Sequence, residues 1–240
     1  MKTYLVVEGR SARFAPLAAG AYIPTQKFLP HSAAYGLVLN LAGINARKII
    51  PPPLRLAVGA VGAFPDVLVG CQHRHAWLVG NTAKLERPHG DKDAIKFTRV
   101  EYLANLNAAI AVEGELEVLS RVREQRGDTL FLGENDRFAS QVRFLDVAPE
   151  AYWYRPVARD ERIRDVRHST YLTIRIDRVD SSKTVSKLFC PLTEATAEIP
   201  DEAWQDCFQA PGSVRFEKAE KRPKTKAGKK KGREPGGRGA

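Results

Sequence analysis

The chain of 240 residues has only three cysteines, Cys71, Cys190 and Cys207, an odd number with no CxxC pair. That fits a reducing cytoplasm better than a disulfide framework. Long apolar runs are missing too: the longest, residues 33–39 and 57–64, fall far short of the roughly 18 residues a membrane-spanning helix needs. No membrane partner is expected. The apolar triplet at 5–7 runs at once into Glu8, so the apolar stretch of a signal peptide cannot be drawn. Also lacking are a Walker A loop, a G-x-S-x-G elbow and a partnered Cys–His signature, which removes the commonest nucleotide-hydrolysing and nucleophilic chemistries. No glycine fingerprint of a dinucleotide fold is present, and no cofactor is expected.

Acid is in short supply as well. Lys and Arg total 38 against 28 Asp and Glu, a net charge of +10. An excess of this size points to a polyanionic partner. It is unevenly spread: residues 217–240 hold ten Lys or Arg and three acids, a net of +7, which leaves +3 for everything before them. That last stretch has no apolar residue larger than Ala or Pro and is expected to be a disordered basic tail that contacts nucleic acid without sequence preference. Any specific anion site in the folded part has to come from local clustering.

Along the chain, residues 3–8 (TYLVVE) are rich in β-branched and aromatic types and read as a first strand. Prolines 16, 24 and 30 with Gly20 make the next segment irregular. Ser32 is placed to cap a helix over 33–41, with Ala34, Leu37, Val38 and Leu41 on one face and Gly43 as its stop. Leu54, Leu56, Val58 and Ala60 alternate as a second strand, and 67–71 continue as a third. Residues 72–97 are polar and basic, an excursion from the sheet in the form of a hairpin. Residues 108–113 read as a strand, 115–125 as a helix and 129–132 (TLFL) as a further strand. The order is that of an α+β, ferredoxin-like (RRM-like, βαββαβ) domain, an antiparallel sheet with both helices on one face. It is expected over 1–138, followed by a smaller, mostly β lobe at 139–216 and the tail at 217–240.

A fold of this kind hosts many functions, so sites are read residue by residue. Cys71, His73 and His75 share one strand face at a period of two. They have no fourth ligand at a recognisable spacing, and no metal is expected. Metal-free cleavage of RNA at a 2′-hydroxyl needs only general acids and bases, for which His31, Tyr35, His75 and His168 are the available groups. The more coherent pattern is basic clustering. Arg10, Arg13, Lys27 and His31 flank the start of the first helix, where free backbone N–H groups favour phosphate. The excursion adds His73, Arg74, His75, Arg87, Lys92 and Lys96 with Trp77 and Phe97, a composition that grips a single strand through phosphate contacts and base stacking.

The strand ending in Glu8-Gly9, then the run Pro24-Thr25-Gln26-Lys27-Phe28-Leu29-Pro30-His31-Ser32-Ala33-Ala34-Tyr35-Gly36-Leu37-Val38-Leu39, resembles the opening of CRISPR-associated protein 5. The resemblance continues in 99–105 (RVEYLAN) and the glycine turn 131–138 (FLGENDRF), and covers about residues 1–145. It implies a RAMP subunit of a type I Cascade complex: a ferredoxin-like domain with a protruding β-hairpin thumb, here 72–97. Such a subunit binds the 5′ handle of the crRNA and caps one end of the complex beside the backbone subunit and the large subunit. It meets target DNA through the assembled complex. The implied RNA-binding residues are Arg10, Arg13, Gln26, Lys27, His31, Ser32, Tyr35, His73, Arg74, His75, Arg87, Lys92, Lys96, Arg99, Asn135 and Arg137. One branch of the family cuts precursor RNA with a Tyr and a Lys-His pair. This chain has no Lys-His dipeptide, and Arg74-His75 and Arg167-His168 substitute an arginine that is always protonated. No catalytic residue is expected, with a metal-independent endoribonuclease as the alternative.

Overall fold

The computed structural model describes residues 1–16, 22–46, 49–75, 95–124, 129–134, 136–163, 165–177 and 183–208, with backbone only for 72–75 and 95–97. The expected RNA contacts Arg87, Lys92 and Asn135, the tip of the excursion and the basic tail lie outside the described residues.

The elements are β1 (Lys2–Ala12), β2 (Tyr22–Ile23), α1 (His31–Leu41), β3 (Leu54–Ala60), β4 (Asp66–His75), β5 (Ile95–Glu113), α2 (Leu116–Arg123), β6 (Gln141–Leu145), β7 (Tyr152–Pro156), β8 (Thr170–Arg175), β9 (Val185–Pro191), a 3-10 turn (Asp201–Ala203) and β10 (Gln205–Cys207). The protein is α+β, with a large sheet in the order β6-β1-β5-β3-β7-β9-β8. β10 joins β3, and β2 and β4 join β5. All pairings are antiparallel except the short one between β2 and β5.

Strand periodicity sorts the centre of the sheet into two faces. Leu5 and Val7 of β1, Leu56 and Val58 of β3, and Ala108, Ile110 and Val112 of β5 share one face, under α1 (Ala34, Leu37, Val38, Leu41) and α2 (Val118, Leu119, Val122). The opposite face carries Ala57, Ala109 and Ala111, small residues that leave room for Trp153 of β7 and Trp204 beside the 3-10 turn. Gly59 is small for the same reason: a Cβ there would come within 2.9 Å of the Trp153 ring. The indole N–H of Trp153 donates to the Thr196 carbonyl at 2.8 Å, so the buried ring has its polar edge satisfied.

Three elements differ from the sequence reading. β5 begins at Ile95, not 108. Its first half carries Arg99, Glu101 and Asn105 among apolar residues, which hides the strand from a hydrophobic-pattern reading. Residues 129–132 form no strand and contribute the isolated bridge Phe131↔Phe138, because Gly133, at φ +94, turns the chain. The strand after α2 is β6, which pairs with β1 from Tyr4↔Leu145 to Glu8↔Gln141. Finally, α1 starts one residue before the expected Ser32 cap. Pro30 occupies the N-cap, and its carbonyl accepts from the N–H groups of Ala33 and Ala34, both at 3.0 Å.

Candidate nucleic-acid interface

The approach to α1 is tied down on all sides. The Thr25 hydroxyl accepts from the Phe14 N–H at 3.0 Å, and the Thr25 N–H donates to the Glu101 carboxylate at 3.0 Å. The Gln26 amide is buried and pairs twice with Thr173 of β8, accepting its N–H at 2.9 Å and donating to its hydroxyl at 3.2 Å. Phe28 stacks on Tyr154 with ring centroids 4.6 Å apart. These contacts fasten the segment to β8 and β7. Lys27 differs from its neighbours: its side chain is exposed, with Nζ donating to the Arg167 carbonyl at 3.2 Å.

Four residues expected at the RNA surface lie inside: Arg13, Gln26, His31 and Tyr35. His31 is fully buried against Phe189, ring centroids 4.8 Å apart. Burial pushes its pKa down to about 3, so it is neutral at ordinary pH. Tyr35 is buried too, and its hydroxyl donates to the Pro52 carbonyl at 2.8 Å. Arg13 is buried in an ion pair with Glu134. Arg137, largely covered, lies 3.5 Å from the same carboxylate, contacts the Ser11 hydroxyl and sits 4.9 Å over the Tyr102 ring. A carboxylate among two arginines was invisible in a count of cations.

The outward side of α1 borders a cleft of about 450 Å³. Ser32, Ala33, Gly36 and Asn40 form its helical wall, and Phe14, Phe131 and Glu134 the opposite one, with Thr173 and Ile176 completing it. Gly133 is required at the rim: besides its positive φ, a Cβ there would lie 1.7 Å from the Arg13 carbonyl oxygen. Sequence reading found Arg13, Gln26 and Ser32 here. It missed Asn40, Thr173 and Ile176, which carry no motif and meet only through the pairing of Gln26 with β8.

The second expected region is a two-stranded ribbon. β4 and the first half of β5 pair from Asp66↔Ala104 to His75↔Ile95, a longer ladder than the expected hairpin at 72–97. Asn105, at φ +57, marks its junction with the central sheet, a conformation asparagine tolerates better than most residues. Consecutive residues Val67, Leu68 and Val69 are all exposed, so both faces of β4 meet solvent there. Arg99 is exposed on β5, and Arg10 on β1. His73, Arg74, His75 and Lys96 occupy the far half of the ribbon, beyond Cys71. Among the described residues, no group of three or more potential metal ligands comes together.

His168, the remaining candidate acid–base group, accepts or donates at Nδ1 with the Asp165 carboxylate at 2.8 Å and stacks on Phe64 at 4.0 Å.

No family model matches the chain, and no curated protein does. Among solved structures, a chain of a CRISPR RNA-guided surveillance complex is similar at TM-score 0.49 and 15% identity, over 90% of this chain and 94% of that one. A Cas protein crystal structure is similar at TM-score 0.42 and 11% identity, over 81% and 94%.

Proposed function

We propose that this chain is the subunit of a type I CRISPR effector complex that binds the 5′ handle of the crRNA and caps one end, beside the backbone and large subunits. In this reading the strands β6-β1-β5-β3 with α1 and α2 are a ferredoxin-like core, and the β4–β5 ribbon is its thumb. The RNA runs along the α1 side, past Lys27 and Ser32, and onto the ribbon through Arg10 and Arg99. Target DNA is met through the assembled complex.

The observation that carries this reading is the fate of residues 24–39, the stretch with the strongest family resemblance. Its packed members, Gln26, His31 and Tyr35, hold α1 in place, and its partly or fully exposed members, Ser32, Ala33 and Gly36, wall an open cleft. The same packing supports a non-catalytic role: His31 is sealed in the core and the Tyr35 hydroxyl is committed to Pro52.

The test is incubation of the purified protein with labelled repeat RNA in EDTA, followed by gel shift and denaturing electrophoresis. A shift with intact RNA is expected. A single metal-independent cut in the repeat, lost in His75→Ala, would make the chain a processing nuclease instead.

A further inference from the structure

The α1 cleft has three features that the handle-binding reading does not explain. The first is Gly36. A glycine inside a helix costs about 0.5–1 kcal/mol relative to alanine. Nothing in the packing requires it, since a Cβ at this position would meet no atom within 4 Å. What Gly36 provides is a bare stretch of helix backbone on the cleft wall, open to close approach.

The second is aromatic. Phe131 lines the cleft and is 40% exposed, and Phe138, 50% exposed, lies beside it with ring centroids 5.3 Å apart. Exposed rings at the rim of a cleft are a platform on which a flat π-system stacks.

The third is polarity. The Asn40 Oδ1 is buried in the cleft wall with no hydrogen-bond partner among the described residues. An unsatisfied buried acceptor is destabilising and is relieved by a donor. The Glu134 carboxylate, also on the wall, is taken up by Arg13 and Arg137, so Asn40 is the acceptor left for a ligand. The cleft therefore favours a flat ligand whose edge donates hydrogen bonds.

We infer that this cleft takes one unstacked nucleobase bearing an exocyclic amino group (adenine, cytosine or guanine) in preference to uracil. The inference rests on the RNA-binding reading and adds which part of the RNA enters and what edge it presents. An amino group supplies an N–H donor to the Asn40 Oδ1. Uracil offers only a ring N–H flanked by two carbonyl oxygens, which would crowd that acceptor and be repelled.

The experiment measures fluorescence anisotropy of labelled oligo(rA), oligo(rC) and oligo(rU) with the full chain, as wild type, Gly36→Ala and Gly36→Leu. Both substitutions favour the helix, and a melting temperature no lower than wild type verifies the fold. Expected is binding of oligo(rA) and oligo(rC) about tenfold tighter than oligo(rU), the scale of one hydrogen bond. Gly36→Ala should retain that preference and Gly36→Leu, which fills the cleft, should abolish it. Equal affinity for all three oligomers in the wild type overturns the amino-group preference. Unchanged oligo(rA) and oligo(rC) binding by Gly36→Leu overturns the cleft as the base site while leaving RNA binding intact. No binding of any oligomer by the wild type overturns the RNA reading itself.

Discussion

The approach to α1 and the β4–β5 ribbon meet solvent in opposite ways. Between residues 25 and 31 nearly every side chain is drawn inward: Thr25, Gln26, Phe28, Leu29 and His31 are buried, and Lys27 alone of the polar residues reaches out. In the ribbon the apolar residues themselves face water, as Val67, Leu68 and Val69 do. The difference follows from partners. The approach is covered by β7, β8 and β9 through Tyr154, Thr173 and Phe189, whereas β4 has, among the described residues, a single strand, β5, beside it. A two-stranded ribbon has little stability of its own. The approach is thus a packed seat, and the ribbon a limb whose apolar residues Val67, Leu68 and Val69 stay open to solvent.

The largest effect should separate the two regions by stability. Phe28→Ala removes a fully buried ring and is expected to cost about 3–5 kcal/mol. Val69→Ala, at a position 58% exposed, should stay within about 0.5 kcal/mol. Chemical denaturation of both variants checks this, and a large loss in Val69→Ala would mean that the ribbon is packed.

A second expected effect is acid sensitivity seated at His31. Its folded pKa, about 3, lies below the ordinary value of 6.5, so below pH 6.5 the unfolded chain takes up a proton that the folded chain refuses. Stability is therefore lost as pH falls from about 6.5 toward 3, at up to about 1.4 kcal/mol per pH unit. Denaturation midpoints between pH 7 and pH 5 should fall less steeply in His31→Leu than in wild type. Parallel slopes would place the proton uptake elsewhere.

The smallest effect distinguishes seat from surface. Tyr35→Phe should cost about 1 kcal/mol through loss of the bond to Pro52 and leave RNA affinity unchanged. A loss of RNA binding at unchanged stability would move Tyr35 into the interface.

Much of this layout was legible in the sequence, and the failures have physical causes. β3 and α1 follow from apolar spacing because each packs one face on the core. The start of β5 does not, because its polar residues are matched by tertiary partners such as Thr25 for Glu101 and Val61 for Asn107. The cleft was half legible. Residues 26–36 mark its helical wall, but a reading by charge places Arg13, His31 and Arg137 on the surface. Their burial depends on Glu134 and Phe189, more than a hundred residues away from Arg13 and His31, respectively, and no local pattern announces such pairings.

The most direct measurement of the central claim is ultraviolet crosslinking of labelled repeat RNA to the purified full chain, with the crosslinked peptides identified by mass spectrometry. The account predicts crosslinks within residues 26–40 and 66–104. Crosslinks confined to the basic segment 217–240 would contradict it, because the RNA would then be held by charge alone.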